Sequence, residues 1–459
     1  MKEALYFYFT SDLHSHFENW PKIMNDINKK IDKNKKNNEF YMLLDNGDHL
    51  DRSHPVTEAT LGESNIELLN HSGFNVCTLG NNEGITLPSD KLFHLYDEAQ
   101  FDVVCANINL KNEDNPSWLK PYDIYQVSSG IKVGIIGLTA PFEAFYNKLG
   151  WQTFHPMDTL RELLPEVREQ CDVVILLSHL GYSMDEQIAE EFDVDVIIGG
   201  HTHHLIKQGQ LINNTLLTAV GKHGHYYGEI VLEYNHLEQH ICGKEAFAIP
   251  VEHEPDEKET NQLLSKLEQK ANEKLGQVIT NLTQPYPIDW LKETPLMKTF
   301  VSTLREWTNS DCAMLNSGVL LHGFEDGPVT KLDVHRSCPH PMNPCTMVLT
   351  GKELIETVRM LEQERFIHFE LKGLGFRGKK IGKMVYSNLT IDYHEDSKYV
   401  ETVFVNGEKV NSKQKYTIAT ADTFSFPWLV PPISSVKEKH YYLPEFLRDL
   451  LEECLSTLK

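Results

Sequence analysis

Short, predominantly apolar runs recur through the first half of the chain, and each ends in a small polar cluster. Leu5–Phe9, Tyr41–Leu44, Val76–Leu79, Val173–Leu177 and Val194–Ile198 read as strands; near-continuous apolar runs of this length are what strands covered on both faces require. Apolar residues at helical spacing lie between them: Ile23, Ile27 and Ile31 in one segment, Ile66–Leu69 in another, and Leu160, Leu163, Leu164 and Val167 in a third. Further strands are expected at Val103–Ala106, Val133–Gly137, Thr215–Val220 and Glu229–Leu232, with Gly221–Gly228 as a glycine-punctuated turn. This alternation of strand and helix predicts an α/β layered domain.

The pattern then changes. Pro250–Lys258 is rich in Pro and Glu, and Asn261–Leu275 is a charged helix with an apolar stripe at Leu264, Leu267 and Ala271. Beyond it, Thr294 and Pro295 are suited to the cap and first position of a helix that places Leu296, Phe300, Leu304 and Trp307 on one face. Asp311–Gly318 reads as a strand running into a polar turn, and Gly351–Glu364 as a helix with Leu354, Ile355, Val358 and Leu361 inward. Met384–Tyr393, Val403–Val405 and Tyr416–Ala421 read as strands, Asn406-Gly407 as a hairpin signal, and Leu443–Cys454 as a last helix. The expected division is one domain over 1–250, a linker helix over 251–278 and a second α/β domain over 279–459.

The polar clusters carry the chemistry. They are Asp12-Leu13-His14, Gly47-Asp48, Gly80-Asn81-Asn82-Glu83, Ser178-His179 and Gly200-His201-Thr202-His203-His204. Side chains just past strand ends converge in one crevice of an α/β sheet. Carboxylate, amide and imidazole donors gathered there suit Mn, Zn, Fe, Ni or Co. An aspartate bridging two such ions holds them about 3.5–4 Å apart, a spacing that clamps both oxygens of an in-line displacement and acidifies the water between them. Asp48 is the expected bridge, with Asp12, His14 and His203 at one ion and Asn81, His179 and His201 at the other.

Charge and composition narrow the partners. A net charge of -23 over 459 residues argues against a nucleic-acid polymer or an anionic membrane as partner. It leaves room for a small phosphate ester, because bound cations dominate the local field. No apolar run approaches the ~18 residues of a membrane span, and the first residues lack a signal peptide's apolar core. The eight cysteines form no CxxC pair and read as reduced thiols. Together these predict a cytoplasmic protein.

The ordered clusters resemble those of the calcineurin-like metallophosphoesterases over roughly residues 5–240. With the second domain, the chain resembles the bifunctional metallophosphatase/5'-nucleotidase family, in particular its cytoplasmic bacterial members. The resemblance implies a four-layer α/β/β/α metal domain, a linker helix and a C-terminal α/β domain that binds the nucleoside. It implies two divalent ions and phosphate release from 5'-nucleotides. Two departures stand out. The family's Gly-Asn-His-Glu/Asp motif places a histidine where this chain has Asn82; an amide donates hydrogen bonds but supplies no proton, a loss typically worth ~10²–10⁴ in rate unless another group substitutes. Asn82 is expected to contact the phosphate beside Asn81 and Asp48, with Glu83, His49 and His204 as nearby substitutes. The second departure follows Asn316-Ser317-Gly318, where the family's arginines are replaced by Val319-Leu320-Leu321-His322. Asn316, Arg336 and Asn343 remain as pocket residues, Phe376 and Phe424 as rings to stack a base, and His340 stands where the family has an aromatic. Two other readings stay open: the same chemistry on cyclic nucleotides, UDP-sugars or a non-nucleotide ester, and a nucleotide-binding protein with vestigial turnover.

Overall fold

In the computed structural model, which describes residues 2–111, 114–395 and 399–458, the chain divides into two compact units. The first ends at Ala271 and the second begins at Asn272. That boundary falls inside the helix Lys258–Leu275, whose stripe residues Leu264, Leu267 and Ala271 are buried.

Two large sheets form the body of the first unit, beside a two-stranded one that pairs Ile108–Leu110 with Trp151–Thr153. One runs His240–Pro250, Tyr226–Asn235, Lys2–Thr10, Phe40–Asp45, Val76–Cys77, Asp102–Val104 and Leu119–Lys120; the other runs Gln210–Ile212, Thr215–Thr218, Val196–Gly199, Val173–His179, Lys132–Thr139 and Tyr122–Gln126. Leu5, Phe7, Phe9, Met42 and Leu44 of the first sheet share a core with Val133, Ile135, Ile175, Leu177 and Ile198 of the second. The outer face of the second sheet, with Ile136, Leu176 and Ile197, is covered by Leu160, Leu164 and Val167 from the helix Pro156–Gln170 and Ile188 from the helix Tyr182–Glu191. The helix Trp20–Asn37 buries Trp20, Ile23, Met24, Ile27 and Ile31 and packs beside Phe40–Asp45. This is the α/β/β/α stack. Every residue of Val173–His179 is buried, which is why its first five residues, Val173–Leu177, are an unbroken apolar run.

Parallel pairing decides where the polar clusters end up. Lys2–Thr10 pairs in parallel with Phe40–Asp45, and Val173–His179 lies parallel between Val196–Gly199 and Lys132–Thr139. The loops after these strands therefore leave from the same edge, as the crevice rule requires.

The second unit is built on a five-stranded mixed sheet in the order Met384–Ser387, Cys312–Asn316, Lys415–Ala421, Pro344–Thr350, Lys439–Tyr441. The helix Pro295–Trp307 buries Leu296, Met297, Phe300, Val301 and Leu304, and the Thr294 hydroxyl caps it by accepting the Met297 N–H at 3.3 Å. Trp307 is only partly buried. The expected strand Met384–Tyr393 is two strands, Met384–Ser387 and Leu389–Tyr393, in different sheets. Asn388 breaks it: its backbone is left-handed at φ 58°, and its amide donates to the Asp311 carbonyl at 2.6 Å. Asn406 and Gly407 take φ of 55° and 75°, the paired positive angles of a tight hairpin, between Val400–Val405 and Glu408–Lys409. Among the described residues every cysteine is free, and no helix is long and apolar enough to cross a membrane.

Candidate metal centre

The five polar clusters meet at one edge of the first unit, stitched together by their backbones. Asp12 N–H donates to the Gly47 carbonyl at 3.0 Å and His14 N–H to the Asp48 carbonyl at 2.9 Å. His201 N–H donates to Asp12 Oδ1 at 3.1 Å, and Asn82 N–H to Asp48 Oδ1 at 2.7 Å. Gly80 is needed at this crossing: a Cβ there would overlap the Asp48 carboxyl and backbone nitrogen. Asp12, His14, Asp48, His201 and His203 all hold left-handed backbone, with φ between 49° and 67°. Non-glycine residues in that region cost energy and cluster at functional sites.

Two groups of donor atoms result. Asp12, His14 and His203 offer atoms that all lie within 4.8 Å of one another, and so do Asp12, Asp48 and His179. His14 Nε2 and His203 Nε2 face each other at 3.1 Å. Asp48 Oδ2 lies 3.6 Å from His14 Nε2 and 3.3 Å from His179 Nε2, so one carboxylate addresses both groups. Asn81 Oδ1 meets His201 Nδ1 at 2.7 Å, and the His201 ring lies 5.5 Å from that of His179.

The donor set fits divalent cations. His179 is fully buried; its Nδ1 is 2.7 Å from the Asn46 carbonyl, while its Nε2 has no hydrogen-bond partner. A ring held by one nitrogen with the other left bare toward carboxylates is the arrangement of a metal-ligating histidine. Burial opposes charge on His179, yet Asp48 and Asp12 overcome it and pull its pKa up to about 10. Burial would raise Asp48 too, but the facing His179 and His14 hold it low. Two buried carboxylates thus demand positive charge, which protons or a bound cation can supply. His201, chiefly through burial and then through His179, is pushed down to about 4 and stays neutral, as a ligand must.

The chain matches the calcineurin-like phosphoesterase family over residues 5–205 and the 5'-nucleotidase C-terminal domain over residues 274–427. It is 41% identical to the uncharacterised metallophosphoesterase YunD of Bacillus subtilis, across 98% of this chain and 99% of that one. The chain belongs to the calcineurin-like metallophosphoesterases with a 5'-nucleotidase C-terminal domain. It is, accordingly, a metal-dependent phosphoester hydrolase. It is 22% identical to a 5'-nucleotidase of Vibrio vulnificus over 70% of this chain and 67% of that protein. Its fold matches a 5'-nucleotidase precursor of Thermus thermophilus (TM-score 0.63, 18% identity, 99% and 97% of the two chains) and the NAD nucleotidase of Haemophilus influenzae (TM-score 0.68, 15%, 99% and 96%).

Around the metallophosphoesterase centre, three residues that the sequence left open have defined places. Glu83 is buried and its carboxylate accepts from the backbone N–H groups of Asp48, Leu50 and Gly80 at 2.9, 3.1 and 2.9 Å. His49 is enclosed beside Asn65 and Trp20, and burial pushes its pKa down to about 3. His204 stacks on Tyr182 and meets Thr202 Oγ1 at 2.8 Å. Sequence reasoning missed Asp51, whose Oδ2 is 3.4 Å from His14 Nδ1, Asn46 under His179, and His16, stacked on His223 at 3.7 Å. No motif marks them; each follows a ligand or strand end closely enough that proximity in sequence was the only available signal.

In the second unit, Asn316 donates to the Ile381 carbonyl at 2.8 Å and Asn343 to the Glu445 carbonyl at 2.7 Å. Phe376 is buried and stacked on His340 at 5.0 Å, and His340 Nδ1 accepts the Arg377 N–H. Phe424 is buried and tilted against Phe366 at 6.5 Å. Hydrogen bonds from Asp422 N–H to the Asn343 carbonyl and from Thr423 to the Leu374 carbonyl draw Asn343, Phe376 and Phe424 into one neighbourhood. Arg336 is exposed on the helix Lys331–Ser337.

Proposed function

We propose that the enzyme releases phosphate from 5'-nucleotides at a dinuclear centre. The observation that carries the two-ion reading is Asp48, whose single Oδ2 faces the imidazoles of both donor groups. Asp12, His14 and His203 would hold one ion and Asn81, His179 and His201 the other, with Asp48 placed to serve both. When bound, such ions polarise phosphoryl oxygens and lower the pKa of water. The chain's own contribution is to fix the donors beforehand. The Asn46 carbonyl turns His179, the Asp12 carboxylate takes the His201 N–H, and Glu83 pins the loops carrying Asp48 and Asn81, so little reorganisation remains when a phosphate arrives. The substrate half of the reading is supported by the match to the 5'-nucleotidase C-terminal domain and by relatives that carry that name. Asn316, Asn343, Arg336, Phe376 and Phe424 are the residues proposed to meet the nucleotide.

The test is phosphate release from nucleoside monophosphates, cyclic nucleotides and UDP-sugars with Mn²⁺ present and Asp48→Asn as the blank. Metal-dependent release from monophosphates supports the proposal. Release only from another class keeps the metal chemistry and replaces the substrate. Nucleotide binding with no release from any of them points to a binding protein.

A further inference from the structure

Asn82 stands at the position where the related motif has histidine, and its surroundings show where its side chain is spent. Its amide nitrogen lies 2.8 Å from His14 Nδ1 and 3.2 Å from the Leu50 carbonyl, which it reaches as a donor. Its Oδ1 is 3.4 Å from the Asn81 amide. Its backbone N–H goes to Asp48 Oδ1, and its carbonyl receives the Thr86 hydroxyl at 2.6 Å. The residue is 7% exposed. Each polar atom of Asn82 therefore has a partner within the chain, and the side chain is directed at His14.

The partner explains the arrangement. The Nε2 side of His14 faces Asp12 Oδ1 at 3.8 Å, Asp48 Oδ2 at 3.6 Å and His203 Nε2 at 3.1 Å. Its Nδ1 side faces only Asn82 and Asp51 among the hydrogen bonds and ion pairs of the described residues. We propose that Asn82 is a positioning residue for His14: it holds the ring by Nδ1 so that Nε2 points at the ion shared with Asp12 and His203. This rests on the reading of those three residues as ligands. With a cation on Nε2, the ring hydrogen sits on Nδ1. Asn82 then meets it through Oδ1 after a half-turn of its amide, whose two ends are nearly the same shape; the turn gives up the donation to the Leu50 carbonyl and the bond accepted from the Asn81 amide. Outer partners of this kind set ligand orientation and are typically worth 10–100-fold in metal affinity.

The experiment titrates the metal-free full chain with Co²⁺, followed by calorimetry and by the cobalt absorption band, alongside kcat and KM at rising metal. Asn82→Leu keeps the size and removes the hydrogen bonds; Asn82→Asp keeps an acceptor for Nδ1. The expected result is that Asn82→Leu weakens one of two binding events about 10–100-fold and alters the cobalt band. Asn82→Asp stays close to wild type, and excess metal restores kcat in Asn82→Leu with KM unchanged. If Asn82→Leu does not fold, Asn82→Ser, which is too short to reach Nδ1, takes its place. Wild-type cobalt binding in Asn82→Leu with kcat still low at saturating metal would overturn the proposal and assign Asn82 to the phosphate. No change in binding or rate would overturn it by showing the amide idle. Absence of cobalt binding by the wild type would remove the ligand reading itself, a failure visible before any variant is compared.

Discussion

Asp48 is the residue on which most depends. Asp48→Asn leaves the bond from His14 N–H to the residue 48 carbonyl in place but removes the charge that two imidazoles face, so metal binding should weaken and turnover should fall to background. Phosphate release and metal titration of the same variant check this; retained activity would remove Asp48 as the bridge. Gly80→Ala should be nearly as damaging for a steric reason, since the new methyl occupies the volume of the Asp48 carboxyl. In the second unit, Asp422 contributes a pH dependence of its own. Asp422 is buried, with an oxygen that has no hydrogen-bond partner, and burial pushes its pKa up to about 7 from about 3.9 in an unfolded chain. Between these values the folded form binds the extra proton, so its contribution to stability falls as pH rises through that window and is fully lost above it. Asp422→Asn should therefore gain thermal stability relative to wild type as pH goes from 5 to 8; parallel melts would show a constant difference if Asp422 were ionised throughout. That the seven candidate ligands would converge was legible because Asp, Asn and His at the ends of apolar runs are a chemical pattern as well as a structural one. Asp51 and Asn46 were not, because an ordinary loop carries the same residue types.

At the scale of elements, apolar pattern and capping chemistry agree best where a strand or helix is buried on its own account. Thr294-Pro295 was readable as a helix start and the hydroxyl does accept the Met297 N–H. Thr294→Ala should cost about 1 kcal/mol and Thr294→Gly only a few tenths, measurable by urea unfolding. The Met384–Tyr393 segment shows the limit. Its residue types favour strand throughout, and nothing local announces that Asn388 turns the backbone left-handed to reach the Asp311 carbonyl, a partner distant in sequence. The rings of Phe376 and Phe424 show it again. Sequence could nominate them as a base-stacking pair, while their burial against His340 and Phe366 follows from tertiary packing alone.

For the molecule as a whole, all seven proposed ligand positions lie in the unit that ends at Ala271. Metal should therefore raise the melting of that unit by mass action, by about 2.7 kcal/mol at a hundredfold excess over Kd, and leave the unfolding of the second unit where it is. Calorimetric scans with Mn²⁺ and with EDTA separate the two, and an equal shift of both would show that they unfold together. The net charge of -23 makes a cation bridge between protein and substrate physically reasonable, but it says nothing about which ester is cleaved. Composition is equally silent on the second unit, where Asn316 and Asn343 bond backbone carbonyls and Phe376 and Phe424 are buried.

The left-handed backbone at Asp12, His14, Asp48, His201 and His203 bears on how mutational data from these loops should be interpreted. An alanine there loses a donor and also sits in a conformation it resists, at a cost of about 1–2 kcal/mol, so a scan would merge a conformational penalty with a chemical one. Asparagine tolerates that conformation. Histidine-to-asparagine and aspartate-to-asparagine replacements therefore form the cleaner series, and the gap between them and the alanine series measures how much of each loop's sensitivity belongs to its shape.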